Sequence, residues 1–354
     1  MTGPFSNMTV DHVEFYVTDL ASKAAWWLNS YGFAISAASD DEAPARSMVL
    51  SHSQVDLVLT EADDADHPAA EYVKKHGDGV GNIGLGVADA TAAFDEAVRR
   101  GARPLSQPAK VDGVTTASII GFGDVAHTFI QRDTGTAPRA LPRMRPTATP
   151  TGDATVQLGE VDHFAVCVES GELDGYIEFY RNVLDFELIF EERIAVGRQA
   201  MTTRVVESTS GAVTLTLIEP DLTCEPGHID SFLRDHGGAG VQHMAFATGS
   251  IVSTLDSLAS RGVAFLDAPG SYYQMLAGRV EPIRYAIDDL RRRNILVDED
   301  HGGQLYQIFT MSVHPRNTIF FELIERLGAK SFGSGNIKAL YEAVELQRHL
   351  DRFE

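Results

Sequence analysis

Cysteines and basic residues are scarce in this 354-residue sequence, and their scarcity excludes several classes of protein. The two cysteines, Cys167 and Cys224, cannot build the disulfide framework of a small secreted domain, so we expect a reducing, cytoplasmic location. Lysine and arginine number 29 against 50 aspartates and glutamates, which gives a net charge of −21. Such a chain repels the phosphates of nucleic acids and anionic membrane surfaces, so we expect neither as a partner.

Long apolar runs are also missing. The sequence has no stretch of about 18 apolar residues, the length that a membrane-spanning helix needs. Its beginning, MTGPFSNMTVDHVEF, has neither the basic nor the apolar region of a secretory signal. Hydrophobic residues nevertheless make up 44% of the chain, which is enough for a sizeable core, so we expect a folded protein.

Four segments of the first half have similar counterparts, in the same order, in the second half. The pairs are VDHVEFYV (10–17) with VDHFAVCV (161–168), VDLVLTE (55–61) with VTLTLIE (213–219), YVKKHGDGVGNI (72–83) with FLRDHGGAGVQH (232–243), and 88–102 with 249–263. Matches in a conserved order along one chain predict that a single module is present twice.

Each copy shows the same coarse pattern of secondary structure. A short alternating run that is typical of a strand is followed by a helix and then by further strand-like runs, and this βαβββ order occurs twice per copy. We therefore predict an α+β fold in which each copy forms a curved, barrel-like sheet with helices outside and a concave interior.

A proline-rich segment separates the two copies. It has prolines at positions 138, 142, 146 and 150, between threonines and small residues. Spacing of this kind is typical of a semi-rigid linker rather than of a folded element. We therefore predict a first domain over residues 8–135, a linker over 136–156 and a second domain over 157–354.

Candidate metal ligands are present in the second copy but not, as a set, in the first. His163 has a counterpart in His12. His243, however, aligns with Ile83, and Glu322 aligns with no carboxylate. The three lie in different strand-like runs, and the alternation of side chains in a barrel-like sheet can point all of them into one interior. Two imidazoles and one carboxylate are the facial donor set of non-haem Fe(II) oxygenases.

An interpretation without metal is open as well. Strand histidines are more often core or surface residues than ligands, and a strictly alternating strand can turn Glu322 to the solvent. A carboxylate between Phe321 and Leu323 would, however, cost several kcal/mol if it were buried without a partner. The spacing by itself does not decide between the two interpretations.

Six segments of the second half form a specific series of motifs. They are VDH (161–163), GGAGVQH (237–243), FLDAPGSYY (265–273), ILVDEDHGGQLYQIFT (295–310), FFELIER (320–326) and FGSGNIKALYEAVE (332–345). The series resembles the 4-hydroxyphenylpyruvate dioxygenase family of the vicinal-oxygen-chelate superfamily. The resemblance implies two tandem vicinal-oxygen-chelate domains, the first without metal, and a C-terminal helix over the active site. It also implies that Fe(II) is bound by His163, His243 and Glu322.

The same resemblance implies a substrate and the residues around it. Members of the family act on 4-hydroxyphenylpyruvate and O2, and the α-keto acid within the substrate makes a separate cosubstrate unnecessary. No catalytic group beyond the iron and its ligands is implied. Gln242 precedes a ligand in the strand, so we expect its side chain to point away from the iron. The matching positions give the substrate-binding residues Thr203, Thr216, Gln307, Phe309, Phe332, Ile337 and Tyr341.

Three positions depart from the dioxygenase pattern. Ile337 lies in a stretch that usually reads Gly-Asn-Phe, residues 216–219 read TLIE in place of Pro-Leu-Asn-Glu, and Tyr341 replaces a phenylalanine. These departures resemble the branch of the family that hydroxylates the benzylic carbon and releases 4-hydroxymandelate and CO2. In that branch the product leads to 4-hydroxyphenylglycine for peptide antibiotics. A branched Ile337 changes the room beside the substrate ring, and a shift on the order of 1 Å is enough to redirect such chemistry.

Two other functions are weighed against this one. Ordinary packing exchange could explain Ile337, in which case the product is homogentisate, as in the dioxygenases. Some members of the superfamily instead sequester a ligand without catalysis, although such a protein has no need of three metal ligands. We also allow for a homodimer, which the sequence does not decide.

Overall fold

The computed structural model describes residues 3–40, 43–147, 152–333 and 335–339, and it contains two curled half-barrel sheets. The first sheet consists of β1 (Thr9–Tyr16), β2 (Ala34–Ser39), β3 (Arg46–His52), β4 (Val55–Glu61), β5 (Gly79–Gly86), β6 (Pro104–Val111), β7 (Val114–Phe122), β8 (Val125–Arg132) and β9 (Met144–Pro146). The second sheet consists of β10 (Val161–Cys167), β11 (Glu187–Val196), β12 (Gln199–Glu207), β13 (Thr214–Pro220), β14 (Gly240–Ala247), β15 (Leu296–Asp300), β16 (Gly303–Phe309) and β17 (Phe320–Leu327).

Helices cover the sheets. They are α1 (Leu20–Tyr31), α2 (Pro68–His76), α3 (Ala90–Arg99), α4 (Leu173–Leu184), α5 (His228–His236), α6 (Ile251–Ser260), α7 (Gly270–Leu276) and α8 (Ile287–Arg292), and residues 335–339 are also helical. The equivalent helices α3 and α6 begin in the same way. Asp89 caps α3 by accepting a hydrogen bond from Ala92 N, and Ser250 caps α6 by accepting one from Ser253 N. None of the helices in the described part of the chain is long and apolar enough to cross a membrane.

Eight strands follow the same order in both sheets, and the first sheet has β9 as an additional edge strand. The first reads β6-β7-β8-β5-β1-β4-β3-β2-β9, and the second reads β15-β16-β17-β14-β10-β13-β12-β11. In each sheet the central strand, β1 or β10, pairs with one parallel and one antiparallel neighbour. The predicted α+β fold of repeated βαβββ modules is therefore confirmed.

The segment predicted to be only a linker contains structure. Residues Met144–Pro146 form β9 and pair with β2 at the edge of the first sheet. An edge strand tolerates Pro146 because its missing N–H is not needed by a further strand. Leu141 and Val156 are buried on either side of β9, so much of this stretch is packed against the fold. The prediction that residues 136–156 contain no folded element was therefore wrong for β9. The bounds of the linker and of the two domains stay predictions.

The two halves hold each other through equivalent arginines. Arg100, at the end of α3, donates a hydrogen bond to the backbone oxygen of Asn182 near the end of α4, at 3.4 Å. Arg261, at the end of α6, donates in the same way to the backbone oxygen of Asn29 near the end of α1, at 3.3 Å. A cation at the carboxyl end of a helix is favoured by the helix dipole, so each copy stabilises a helix of the other.

Buried histidines lie where the halves meet. Nδ1 of His127 on β8 lies 3.1 Å from the backbone oxygen of Ala126, and its Nε2 lies 2.7 Å from the hydroxyl of Tyr180 on α4. His236 on α5 stacks on His76 of α2, with ring centroids 4.2 Å apart. Burial lowers the pKa of both His127 and His236 to about 4, and for His236 the nearby His76 adds to the shift.

These histidines predict a loss of stability in mild acid. Their pKa values are lower in the folded protein than in the unfolded chain, where about 6.5 is usual, so the unfolded state takes up more protons as the pH falls from 6.5 to 4. For His127 the free energy of unfolding is expected to fall by roughly 2 kcal/mol between pH 7.5 and pH 5. Urea unfolding of the metal-free protein at both pH values measures this loss. In His127→Gln the loss should be smaller by that amount, whereas His301→Gln, at an exposed histidine, should keep it. An unchanged loss in His127→Gln would contradict the prediction.

Candidate metal centre and substrate cavity

Three neighbouring strands at the centre of the second sheet carry the predicted ligands. His163 lies on β10, His243 on β14 and Glu322 on β17. Ala245 of β14 pairs with His163 on one side and with Glu322 on the other, so these side chains share one row. His243 lies two residues before Ala245 and therefore faces the same side of the sheet. All three side chains converge on the concave face.

The three side chains approach one another closely. Nε2 of His163 lies 3.5 Å from Oε2 of Glu322, and Nε2 of His243 lies 3.4 Å from the same oxygen. The three potential ligand atoms lie within 4.8 Å of one another. Within residues 3–40, 43–147, 152–333 and 335–339, no second group of three histidine, cysteine or carboxylate side chains comes together in this way.

The hydrogen-bond partner of Nδ1 determines the tautomer of each histidine. Nδ1 of His163 lies 2.8 Å from the carboxylate of Asp162, and Nδ1 of His243 lies 3.3 Å from the amide oxygen of Gln242. Both partners are acceptors, so Nδ1 carries the proton and Nε2 keeps a lone pair. Burial lowers the pKa of His243 below its usual value although Glu322 opposes the shift, which favours the neutral imidazole.

The centre therefore presents acceptors only. Two imidazole lone pairs and the carboxylate of Glu322, which is 2% exposed, face one position. Burying a carboxylate without a partner is costly, and a cation is the group that satisfies all three acceptors at once. Two imidazoles and one carboxylate suit a divalent transition metal that keeps open positions, so the residues fit the metal that their sequence pattern predicts. Their role as ligands stays a prediction.

Aromatic rings surround the three side chains. The ring of Phe320 stacks on His243 with centroids 4.9 Å apart, and Phe309 meets the same imidazole edge to face at 5.7 Å. Phe332 meets His163 edge to face at 5.3 Å. These rings cover part of each imidazole and restrict its rotation. Phe320 was not predicted, although its place two residues before Glu322 on β17 puts it on the same face.

A cavity of about 910 Å³ opens from this centre. Six of the seven predicted substrate residues line it, and Tyr341 lies outside the described residues. The six are Thr203, Thr216, Gln307, Phe309, Phe332 and Ile337. Thr216 is buried, and its hydroxyl has no hydrogen-bond partner in the described part of the chain, so it is available to a ligand.

Gln242 also lines the cavity, contrary to the expectation from simple alternation. The pairing of β10 with β14 is irregular between Ala165 and Val166, which are opposite this part of β14. A bulge of this kind re-aims side chains and breaks strict alternation. Gln242 can therefore reach both the cavity and Nδ1 of His243.

A buried polar chain holds Gln307 in place. Asn336, in the helical segment 335–339, donates a hydrogen bond from its amide to Oε1 of Gln307 at 3.1 Å. Oδ1 of Asn336 accepts from the hydroxyl of Tyr272 at 2.7 Å and from Arg279 at 3.0 Å. The NH2 group of Gln307 is therefore the end that is available to the cavity. Asn336 was not predicted, because the GNI motif departs from the dioxygenase pattern at Ile337 and not at the asparagine.

The first half has a hydrogen-bonded network at the equivalent position. In the first half Asn82 lies opposite Glu14, and in the second half His243 lies opposite Ala165 at the equivalent position. The counterpart of His243 is therefore Asn82 and not Ile83. The counterpart of Glu322, found in the same way, is Thr128. The predicted alignment with Ile83 was wrong by one residue. The turn from α5 to β14 is Gly237-Gly238-Ala239, one residue longer than Gly77-Asp78 between α2 and β5, and an alignment without gaps misses this insertion.

This network satisfies its own polar groups. Asn82 donates to Glu14 at 3.0 Å, and Thr128 donates to the amide oxygen of Asn82 at 2.9 Å. Thr60 donates to the other oxygen of Glu14 at 2.6 Å, and Ser118 bonds to Thr128 at 2.8 Å. Donors and acceptors are matched here, in contrast to the acceptors that converge in the second half.

Two family models match the chain. "Hydroxyphenylpyruvate dioxygenase, HPPD, N-terminal" matches residues 2–138, and "Glyoxalase/Bleomycin resistance protein/Dioxygenase superfamily" matches residues 160–282.

Named relatives match nearly the full chain. The 4-hydroxyphenylpyruvate dioxygenase of Dictyostelium discoideum is 31% identical over 96% of this chain and 97% of its own length. That of Neurospora crassa is also 31% identical, over 96% of this chain and 91% of its own. The solved structure of a triple mutant of 4-hydroxymandelate synthase from Streptomyces coelicolor is 41% identical, covers 98% of this chain and 99% of its own, and superimposes with a TM-score of 0.86.

Replacing one of the three converging side chains is expected to abolish tight metal binding. The loss in His243→Ala should exceed the roughly 10- to 100-fold that removal of an outer partner of a ligand costs. Anaerobic titration of the metal-free protein with Fe(II), in competition with a chelator, measures the affinity. His12→Ala removes the counterpart of His163 in the first half and should bind like the unmodified protein. Undiminished binding by His243→Ala would show that these residues are not the ligands.

Proposed function

Because this chain belongs to the 4-hydroxyphenylpyruvate dioxygenase family, we propose that it is an Fe(II) enzyme that converts 4-hydroxyphenylpyruvate and O2 into 4-hydroxymandelate and CO2. The observation that carries the proposal is the convergence of three acceptors, on His163, His243 and Glu322, at one end of the cavity. The equation balances, since the substrate loses its carboxyl carbon as CO2 and the two atoms of O2 enter the products.

The donor set determines how the substrate is oriented. When bound, Fe(II) would supply Lewis acidity and pass electrons from the α-keto acid to O2. Held by His163, His243 and Glu322, it would keep open positions for the substrate and O2. The keto acid end of the substrate is then directed toward His163, His243 and Glu322, and its ring extends into the cavity.

The remaining cavity residues bind the ring and its phenol. Phe309 and Phe332 offer aromatic faces next to the centre, and edge or offset contacts between rings are favourable. Farther along the sheet, the buried hydroxyl of Thr216 has no partner among the described residues, and Gln307, whose oxygen is held by Asn336, lines the same cavity. A polar end of the substrate satisfies such groups, and an analogue without it leaves them unpaired.

Two observations favour attack at the benzylic carbon. The solved 4-hydroxymandelate synthase mutant is 41% identical to this chain, against 31% for the dioxygenases described above. Ile337, one of the departures from the dioxygenase pattern, lines the cavity and packs near Ile218 and Ile229. A branched side chain in place of a flat ring changes the wall against which the substrate ring rests, and so changes which carbon is nearest to the oxidant.

Homogentisate formation is the second candidate. It is favoured by the names of the curated relatives, which are 4-hydroxyphenylpyruvate dioxygenases over nearly the full chain. Homogentisate and 4-hydroxymandelate are isomers, so their masses do not distinguish them.

The identity of the product tests the proposal directly. The Fe(II)-loaded protein is incubated with 4-hydroxyphenylpyruvate and O2, and the products are separated by chromatography against standards of both isomers. We expect 4-hydroxymandelate to predominate. Predominant homogentisate would replace the proposal by the second candidate, and absence of both products would refute an oxygenase acting on this substrate.

The Ile337→Phe substitution is expected to raise the share of homogentisate. A change of about 1.4 kcal/mol in the difference between the two barriers alters the product ratio tenfold, and we expect at least that shift. The same chromatographic separation measures it. Ile229→Phe adds similar bulk to the cavity from α5 and should lower the rate without a comparable change in ratio. Equal shifts in both variants would mean that Ile337 contributes only volume.

A further inference from the structure

We propose that Asp162 and Arg326 are positioning residues for the metal ligand His163 and that they connect this ligand to the C-terminal segment 329–332. The inference rests on the proposed function, since it assigns roles around the same metal centre. Neither residue faces the ligand position itself. Both act through the imidazole of His163 and through the wall that packs against it.

The contacts form a continuous chain. Oδ1 of Asp162 accepts from Nδ1 of His163 at 2.8 Å. Arg326 donates two hydrogen bonds of 2.8 Å to the same carboxylate, from Nε to Oδ2 and from Nη2 to Oδ1. This two-pronged geometry fixes the plane of the carboxylate, which a single bond to a lysine would not do.

Arg326 also organises the backbone that follows β17. Its Nη1 donates to the backbone oxygens of Ala329 at 3.2 Å and of Ser331 at 2.7 Å. Its guanidinium lies over the ring of Phe332, 5.0 Å from the centroid, and that ring packs against His163. One arginine thus fixes the partner of the ligand and the aromatic wall beside it.

The chemical effect on His163 follows from the charge of its partner. Asp162 accepts one hydrogen bond from His163 and two from the guanidinium of Arg326, and this set of donors stabilises it as a carboxylate. A carboxylate on Nδ1 keeps the proton there and makes Nε2 a better donor to a metal. Among the described residues, Nδ1 of His243 meets the neutral amide oxygen of Gln242 at 3.3 Å, so the stronger support belongs to His163.

The first half contains the same arrangement without the other ligands. Asp11 lies 2.9 Å from Nδ1 of His12 and forms two hydrogen bonds with Arg132. Asn82 and Thr128 take the places of His243 and Glu322 there. The duplicated triplet therefore serves the fold in both halves, and its effect on a metal can arise only in the second. This makes the first half an internal control.

The experiment compares Asp162→Asn with Asp11→Asn. In one orientation of the new amide its NH2 faces Nδ1 of His163, and in the other it faces Nε of Arg326 while a neutral oxygen accepts from His163. In both orientations His163 loses its charged partner. The affinity of the metal-free proteins for Fe(II), and for Co(II) as a second probe, is measured by competition with a chelator. The visible absorption of bound Co(II) reports the ligand geometry, and thermal unfolding of the metal-free proteins reports stability.

We expect a 10- to 100-fold loss of affinity in Asp162→Asn, with a changed Co(II) spectrum. Asp11→Asn should stay within about twofold of the unmodified protein while it loses a similar amount of stability. Arg326→Lys keeps a positive charge but loses the two-pronged contact, and it should show a smaller loss of affinity in the same direction. It also serves as the test if Asp162→Asn does not fold.

Each outcome separates the inference from the proposed function. Affinity within twofold in both Asp162→Asn and Arg326→Lys would overturn the positioning role and leave the proposed function intact. Equal losses of metal affinity in Asp162→Asn and Asp11→Asn would mean that the contact between Asp162 and His163 only stabilises the fold. If the unmodified protein bound neither Fe(II) nor Co(II), the proposed function would fall, and this inference with it.

Discussion

The arrangement at the centre of the second half depends on one constraint, the buried carboxylate of Glu322. It lies at the middle of a half-barrel, on a strand flanked by two others, and the side chains nearest to its oxygen are imidazoles that also offer lone pairs. Such an arrangement is unfavourable without a cation and favourable with one. The aromatic rings beside the two imidazoles deepen this dependence, because an apolar ring does not solvate a charge.

The features that were predictable are those with a strong local signal. The repeat predicted the doubled sheet, since topology follows the order of strands and helices. Alternation along three strands allowed His163, His243 and Glu322 to face one interior, and the family resemblance made this the expectation. Their geometry agrees with it. The substrate residues came from the family resemblance, and the ones that the structure describes line one cavity.

The features that were missed depend on contacts between distant segments. The extra strand β9 exists because β2 offers an open edge, which the composition of a proline-rich stretch does not reveal. The one-residue error at Ile83 came from a single insertion in a glycine-rich turn, where sequence similarity carries little information. Asn336 acquires its role only from Tyr272, Arg279 and Gln307, which are brought to it by the tertiary fold.

The matched network in the first half has a consequence for the history of the chain. Exchange of Asn82 for histidine would remove one hydrogen-bond partner from Glu14 and one from Thr128, which keep their contacts with Thr60 and Ser118. Exchange of Thr128 for glutamate would set a second carboxylate near Glu14. A buried polar group that loses its partner costs about 1–3 kcal/mol, so both exchanges are expected to destabilise this half before any metal is gained. The two halves share one backbone plan, yet the matched hydrogen bonds of the first oppose single substitutions toward a metal site.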